Sequence, residues 1–185
     1  MIGYAFCGSF CTLSRSLPVL DALIKRGETV VPFISERVYS TDTRFWKSRD
    51  FVGKVEDMCG RRAVHTVEDA EPYGPNRLDY LVISPCTGNT LGKIAHGITD
   101  SAVTMAAKAH LRSDGRLLIA LASNDAMSQN LGNMGALLQR KGVYLVPMKQ
   151  DDPEKKPHSL VAEFELIPEC INAMLADRQL RPIFR

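Results

Sequence analysis

At 185 residues, 45% hydrophobic and 24% charged, the chain can bury a sizeable core and is expected to form a single domain over residues 1–185. Its 23 basic and 21 acidic side chains leave a formal charge of +2, too small to draw in nucleic acid, and no basic run is interleaved with aromatics. The apolar stretches are strand-sized, far short of the roughly 20 residues a membrane span needs, and Met1 leads into a strand-like run with no signal-peptide pattern, so a cytoplasmic setting is expected.

Residues 2–7 read as a first strand, followed by a small-residue loop, Gly8 to Thr12. Leu13, Leu17, Leu20 and Ile24 recur at helical spacing, with Gly27 as the stop and Pro18 in the first turn or at a kink. A second strand, Thr29 to Ile34, ends at Ser35; a helix is expected over Arg44–Met58, ended by Gly60, and a short strand over Ala63–Val67. Leu78–Ser84 is a strong strand. The helices expected after it open at the Pro85 turn and at Ser101, the second running to Leu111. Leu117–Ala122 is a buried strand, Leu131–Lys141 a helix stopped by Gly142, and Val143–Val146 the last strand. A polar excursion, Gln150 to His158, precedes a closing helix, Leu166–Leu175. Helices alternating with strands imply a mostly parallel, six-stranded sheet covered on both faces. Its ligand site should lie past the strand C-termini, where Gly8–Thr12, Ser35, Pro85–Thr90 and Ser123-Asn124 all fall.

The five cysteines form no CxxC pair and no metal-ligand framework with the four histidines, so no metal site is expected and the thiols read as reduced. Cys7 and Cys86 suit small buried positions, whereas Cys11 lies in the glycine-containing loop.

The most informative stretch is Pro85-Cys86-Thr87-Gly88-Asn89-Thr90, running on to Asp100. A buried strand, a tight turn and an open helix N-terminus in that order leave unpaired N–H groups and a partial positive charge, which suit a phosphate. Neither a P-loop nor GxGxxG is present, so a nucleotide would be held by another device.

With Lys93, Ala95, Gly97 and Asp100, this motif resembles the signature of the flavin-dependent cysteine decarboxylase family, which also includes flavin prenyltransferases. The resemblance implies a three-layer α/β/α, Rossmann-like fold that binds FMN between subunits of a trimer or a multiple of trimers. It places Gly8, Ser9 and Ser35 beside the flavin, with Thr87, Gly88, Asn89 and Thr90 on its phosphate. Ser123 and Asn124 fall where the decarboxylases carry an Asn-containing segment. Ser40–Phe45, Ser123–Ala126 and Gln150–Pro157 resemble the dipicolinate synthase branch of the family. There a flavoprotein-like B subunit works beside an NAD(P)-dependent dehydrogenase A subunit on a small dicarboxylate, in the mother cell of a sporulating bacterium.

One departure is informative. Counting back from Pro85 to the catalytic histidine of the decarboxylases lands on Glu71, which reads either as a base or as a solvated loop carboxylate. Asn124 is a candidate beside it. Arg44, Lys155 and Lys156 could clamp a diacid or serve as surface charge. Dehydrogenation to an aromatic dicarboxylate is the expected reaction. Decarboxylation or prenyl transfer on the same scaffold, or a non-catalytic role toward the dehydrogenase subunit, are the rivals.

Overall fold

The computed structural model describes residues 1–74 and 78–185. Strand β1 (Ile2–Phe6) passes through a 3₁₀ turn, Phe10–Thr12, into helix α1 (Leu13–Lys25), then β2 (Val30–Ile34) and a short α2 (Glu36–Ser40). After α3 (Ser48–Cys59) and a single turn of helix α4 (Val67–Ala70) come β3 (Tyr80–Cys86), α5 (Gly88–Ala95), α6 (Ala102–Leu111) and β4 (Arg116–Ser123). Helix α7 (Gln129–Leu138), β5 (Val143–Leu145), β6 (Met148–Lys149), β7 (Leu160–Ala162) and α8 (Ile167–Leu175) complete the chain.

Five strands lie parallel in the order β2-β1-β3-β4-β5. Alternate side chains along each strand point to opposite faces and so build two cores. Tyr4, Phe6, Ile34, Val82 and Leu118 pack under α1, α3 and α8. Ala5, Phe33, Leu81, Ile83 and Ile119 pack under α5, α6 and α7. The result is the expected three-layer α/β/α architecture. No helix among the described residues is long and apolar enough to cross a membrane.

The sheet has seven strands where six are expected, and two local differences account for it. The predicted strand Ala63–Val67 contributes one bridge, Val64 to Phe33. It stops there because the Thr66 hydroxyl accepts a hydrogen bond from the Asp69 N–H at 3.1 Å and caps α4 instead. The polar excursion 150–158 is the loop of a hairpin, β6 to β7, in which β7 pairs antiparallel with the far end of β4 and β6 lies outside it. Two- and three-residue strands carry no readable alternation.

Helix α3 begins at Ser48, so Arg44 sits in a loop. Side chains there compete with the backbone for hydrogen bonds. Asp42 Oδ1 accepts from the Ser48 N–H at 2.9 Å, and Thr43 Oγ1 accepts from the N–H groups of Phe45 and Trp46, each at 3.2 Å. Gly60 ends α3 in the left-handed conformation, φ 63°, as read. Pro18 stands inside α1, in its second turn and past the first-turn position that was one of the two expected for it.

Candidate functional site

The connections leaving β1 and β3 run to opposite sides of the sheet, because β1 is followed by β2 on one side and β3 by β4 on the other. A crevice therefore opens above their C-terminal ends. It has two adjoining lobes that share Gly8, Phe10, Thr87 and Asn89. The first, about 500 Å³, is lined further by Ser35, Arg37, Thr90 and Lys93. The second, about 780 Å³, is lined by Arg15, Arg44, Ser123, Asn124, Asp125 and Lys156 among others.

The N-terminus of α5 borders both lobes. Thr87 caps it, its hydroxyl accepting from the Thr90 N–H at 3.2 Å and donating to the Thr90 hydroxyl at 3.1 Å. The N–H groups of Gly88 and Asn89 have no partner among the described residues. Two free N–H groups at the positive end of a helix form a ready anion site. Ser35, only 8% exposed, lines the same lobe, and its hydroxyl is buried without a hydrogen-bond partner. Buried polar groups are satisfied as a rule, so an orphan hydroxyl on a residue that lines a cavity points to a ligand. Lys93 pairs with Asp100 at 2.7 Å on the wall, and that bond holds the Asp100 carboxyl below its usual range.

Ser35→Ala should thus separate two properties. The ligand-free protein loses no hydrogen bond and keeps or gains melting temperature. Affinity for a phosphate-bearing ligand falls about tenfold, the worth of one hydrogen bond to a charged group. Paired thermal melts and ligand titrations check both halves.

Cys7 and Cys86 are buried at the C-terminal ends of β1 and β3. Burial pushes the Cys86 thiol up, while its hydrogen bond to Cys7 holds the Cys7 thiol down, helped by Thr90. Behind α5 lies a polar network on the loop after β4. Asp125 Oδ1 accepts from the Ser123 hydroxyl and, at 2.8 Å, from the Asn130 amide, which in turn accepts from Asn133 at 2.9 Å.

The second lobe gathers positive charge. Arg44 stacks over the Phe45 ring at 4.8 Å and Arg15 over Phe164 at 4.8 Å. Lys156 pairs with Asp151 at 2.8 Å; the bond lowers the Asp151 carboxyl and raises the ammonium.

The structure brings Gly8, Ser9, Ser35, Thr87, Gly88, Asn89, Thr90, Ser123, Asn124, Arg44 and Lys156 to this crevice. Lys155 is exposed and lines neither lobe. Glu71 is also exposed and lines neither: it follows α4, which packs on α6, away from the crevice. Sequence reasoning missed Arg15, Arg37, Asp125 and Asp151. Asp125 stands next to Asn124, and Arg15 lies one turn past the Gly8–Thr12 loop, so adjacency to the predicted loops was the available signal.

Comparison with known proteins agrees with this geometry. A family model described as Flavoprotein matches residues 2–174. The B subunit of dipicolinate synthase from Bacillus subtilis (strain 168) is 40% identical over 183 residues, covering 98% of this chain and 92% of that protein. The crystal structure of the dipicolinate synthase B subunit from Bacillus halodurans C superposes with a TM-score of 0.90 at 38% identity, covering 100% of this chain and 95% of that one. The FMN-dependent cysteine decarboxylase SpaF shares the fold, with a TM-score of 0.68 at 22% identity over 95% of each chain. With the signature turn on α5, the crevice at the β1–β3 switch and a family match over nearly its whole length, the chain belongs to the flavoprotein family.

Proposed function

We propose that this chain is the flavin-binding subunit of a two-component system that forms dipicolinate, pyridine-2,6-dicarboxylate, by dehydrogenation of a dihydrodipicolinate-type intermediate. In this reading it binds FMN in the first lobe and the dicarboxylate in the second. It works beside an NAD(P)-dependent dehydrogenase subunit in the mother-cell cytoplasm of a sporulating bacterium. The observation that carries the cofactor assignment is the unpartnered hydroxyl of Ser35, which lines the same lobe as Asn89 with its free N–H. The substrate class rests on the likeness to the B subunit of dipicolinate synthase and on the cations of the second lobe.

The residues divide the work by chemistry. Gly88 and Asn89 N–H groups, with the Ser35 hydroxyl, hold the phosphate, and the capping bond between Thr87 and Thr90 fixes the turn that aims them. Arg44 offers a planar fork to one substrate carboxylate, and Lys156 a point charge to the other. Asn124 supplies amide hydrogen bonds between them. A bound flavin supplies two-electron acceptance.

Self-association fits the same reading. Helix α7 carries no charged side chain, and its outer face exposes Leu131, Gly132, Gly135, Ala136 and Leu138. A second copy seated there would cover apolar surface beside the signature helix, which α7 packs against. A trimer, or a multiple of trimers, is the assembly proposed.

Flavin absorbance retained by the purified chain after desalting tests the cofactor; colourless protein at saturating FMN rules it out. Mixing with the dehydrogenase subunit tests the reaction. Dipicolinate should form faster with this chain present, and equal formation without it removes the proposed role.

A further inference from the structure

Only two carboxylates line the second lobe among the described residues, Asp125 and Asp151. Asp151 is committed to Lys156. Asp125 is held differently. Both hydrogen bonds to its carboxylate, from the Ser123 hydroxyl and the Asn130 amide, fall on Oδ1. Oδ2 accepts none among the described residues, and it is not a buried unpartnered atom, a state confined to Ser35 Oγ. That oxygen is therefore open to solvent on a side chain that lines the cavity.

The carboxylate is also rigidly seated. A Cβ on Gly88 would lie 2.7 Å from Asp125 Oδ1, so the carboxylate rests against the first residue of α5, where the helix end stabilises negative charge. One oxygen fixed by two donors and the other bare is the arrangement a proton acceptor requires, since orientation precedes proton transfer.

We propose that Asp125 is the proton acceptor of the second lobe, an inference that rests on the dicarboxylate reading given above. In the step, a C–H bond breaks at a ring carbon conjugated with the C=N of the cyclic dicarboxylate. The electron pair moves through the C=N to the ring nitrogen, which takes a proton from water to give the conjugated enamine. The proton becomes the O–H of Asp125 and passes later to water. Arg15, Arg44 and Lys156 line the same lobe and offset the charge that a carboxylate places near a dianion.

Asp125→Asn tests this with little disturbance, because the amide oxygen can keep both bonds made to Oδ1 and only the bare Oδ2 becomes NH₂. Its melting temperature and flavin retention should match those of the parent chain. Dipicolinate formation with the dehydrogenase subunit should fall by about 100-fold or more, the range for general-base loss. Dipicolinate itself, titrated calorimetrically, should bind about 3- to 10-fold more tightly, because a negative charge facing it is gone. A merely structural Asp125 predicts the opposite sign, with weaker binding and a lower melting temperature together.

Asp125→Ala is the second arm, and added formate should restore at least about tenfold of the lost rate by supplying the missing carboxylate. An Asn variant within threefold of the parent rate overturns the proposal. So does a rate loss that tracks a loss of melting temperature while formate fails to rescue the Ala variant. If the parent chain adds nothing to the dehydrogenase subunit, the function reading falls and takes this inference with it. If parent and Asn variant add equally, only the role of Asp125 falls.

Discussion

Gly88→Ala should abolish flavin retention and lower the melting temperature, while leaving the sheet intact. The added methyl would meet Asn130 Nδ2 at 2.5 Å, Ser123 Oγ at 2.5 Å and Asp125 Oδ1 at 2.7 Å. None of these atoms can swing away freely, because Asp125 Oδ1 accepts hydrogen bonds from both of the others. The N-terminus of α5 must therefore retreat, carrying the free N–H groups of Gly88 and Asn89 out of place. Overpacking of this kind costs about 1–3 kcal/mol, and each kcal/mol lowers the melting temperature of a chain this long by about 2–4 °C. Gly53→Ala is the matched control. It sits inside α3 with nothing within 4 Å of its Cβ position, so the change should raise stability by about 1 kcal/mol. Scanning fluorimetry and flavin absorbance after desalting read both variants. A Gly88→Ala chain that keeps flavin as the parent does would remove the anion site from α5.

The second large effect is expected from Arg44→Ala. Arg44 lines the second lobe on the loop that Asp42 and Thr43 hold out of helix α3, and its guanidinium lies over the Phe45 ring. Removing a charge-assisted hydrogen bond costs about 1.5–3 kcal/mol, so the KM for the dicarboxylate should rise about 10- to 100-fold with little change in kcat. Arg44→Lys should recover part of this, since the charge returns without the planar fork. An Arg44→Ala enzyme with unchanged KM and tenfold lower kcat would place Arg44 in the chemistry instead of in binding. Lys156→Ala should act in the same direction, because it also releases the Asp151 carboxylate to face the substrate.

Where burial and repeat spacing decide a structure, this chain is readable. The runs at Ile2–Phe6, Val30–Ile34, Tyr80–Cys86 and Arg116–Ser123 are strands buried on both faces, and their apolar continuity is the signal of a covered parallel sheet. The signature turn was legible for a related reason: a strand, a capping threonine and a helix start must adjoin in sequence to work. The missed parts depend on partners distant in the chain. Arg15 reaches the second lobe only because α1 and the loop after β4 flank the same crevice. The short strands β6 and β7 exist because they pair with each other and β7 pairs with the end of β4. The helix expected from Arg44 starts at Ser48, and three hydrogen bonds between side chains and backbone hold the loop before it open. Glu71 was drawn from counting along a family pattern, and a turn of helix at α4 sets it apart from the crevice.

Gly8, Thr87 and Asn89 border both lobes. An occupant of the first lobe is thus one wall of the second, and the two affinities are thermodynamically linked. Whatever factor the first ligand adds to the binding of the second, the second must add to the first. Titrating the dicarboxylate into flavin-free and flavin-loaded protein, then flavin into protein with and without dicarboxylate, measures a single coupling constant twice. A cell short of one ligand would hold the other with an affinity changed by that same factor.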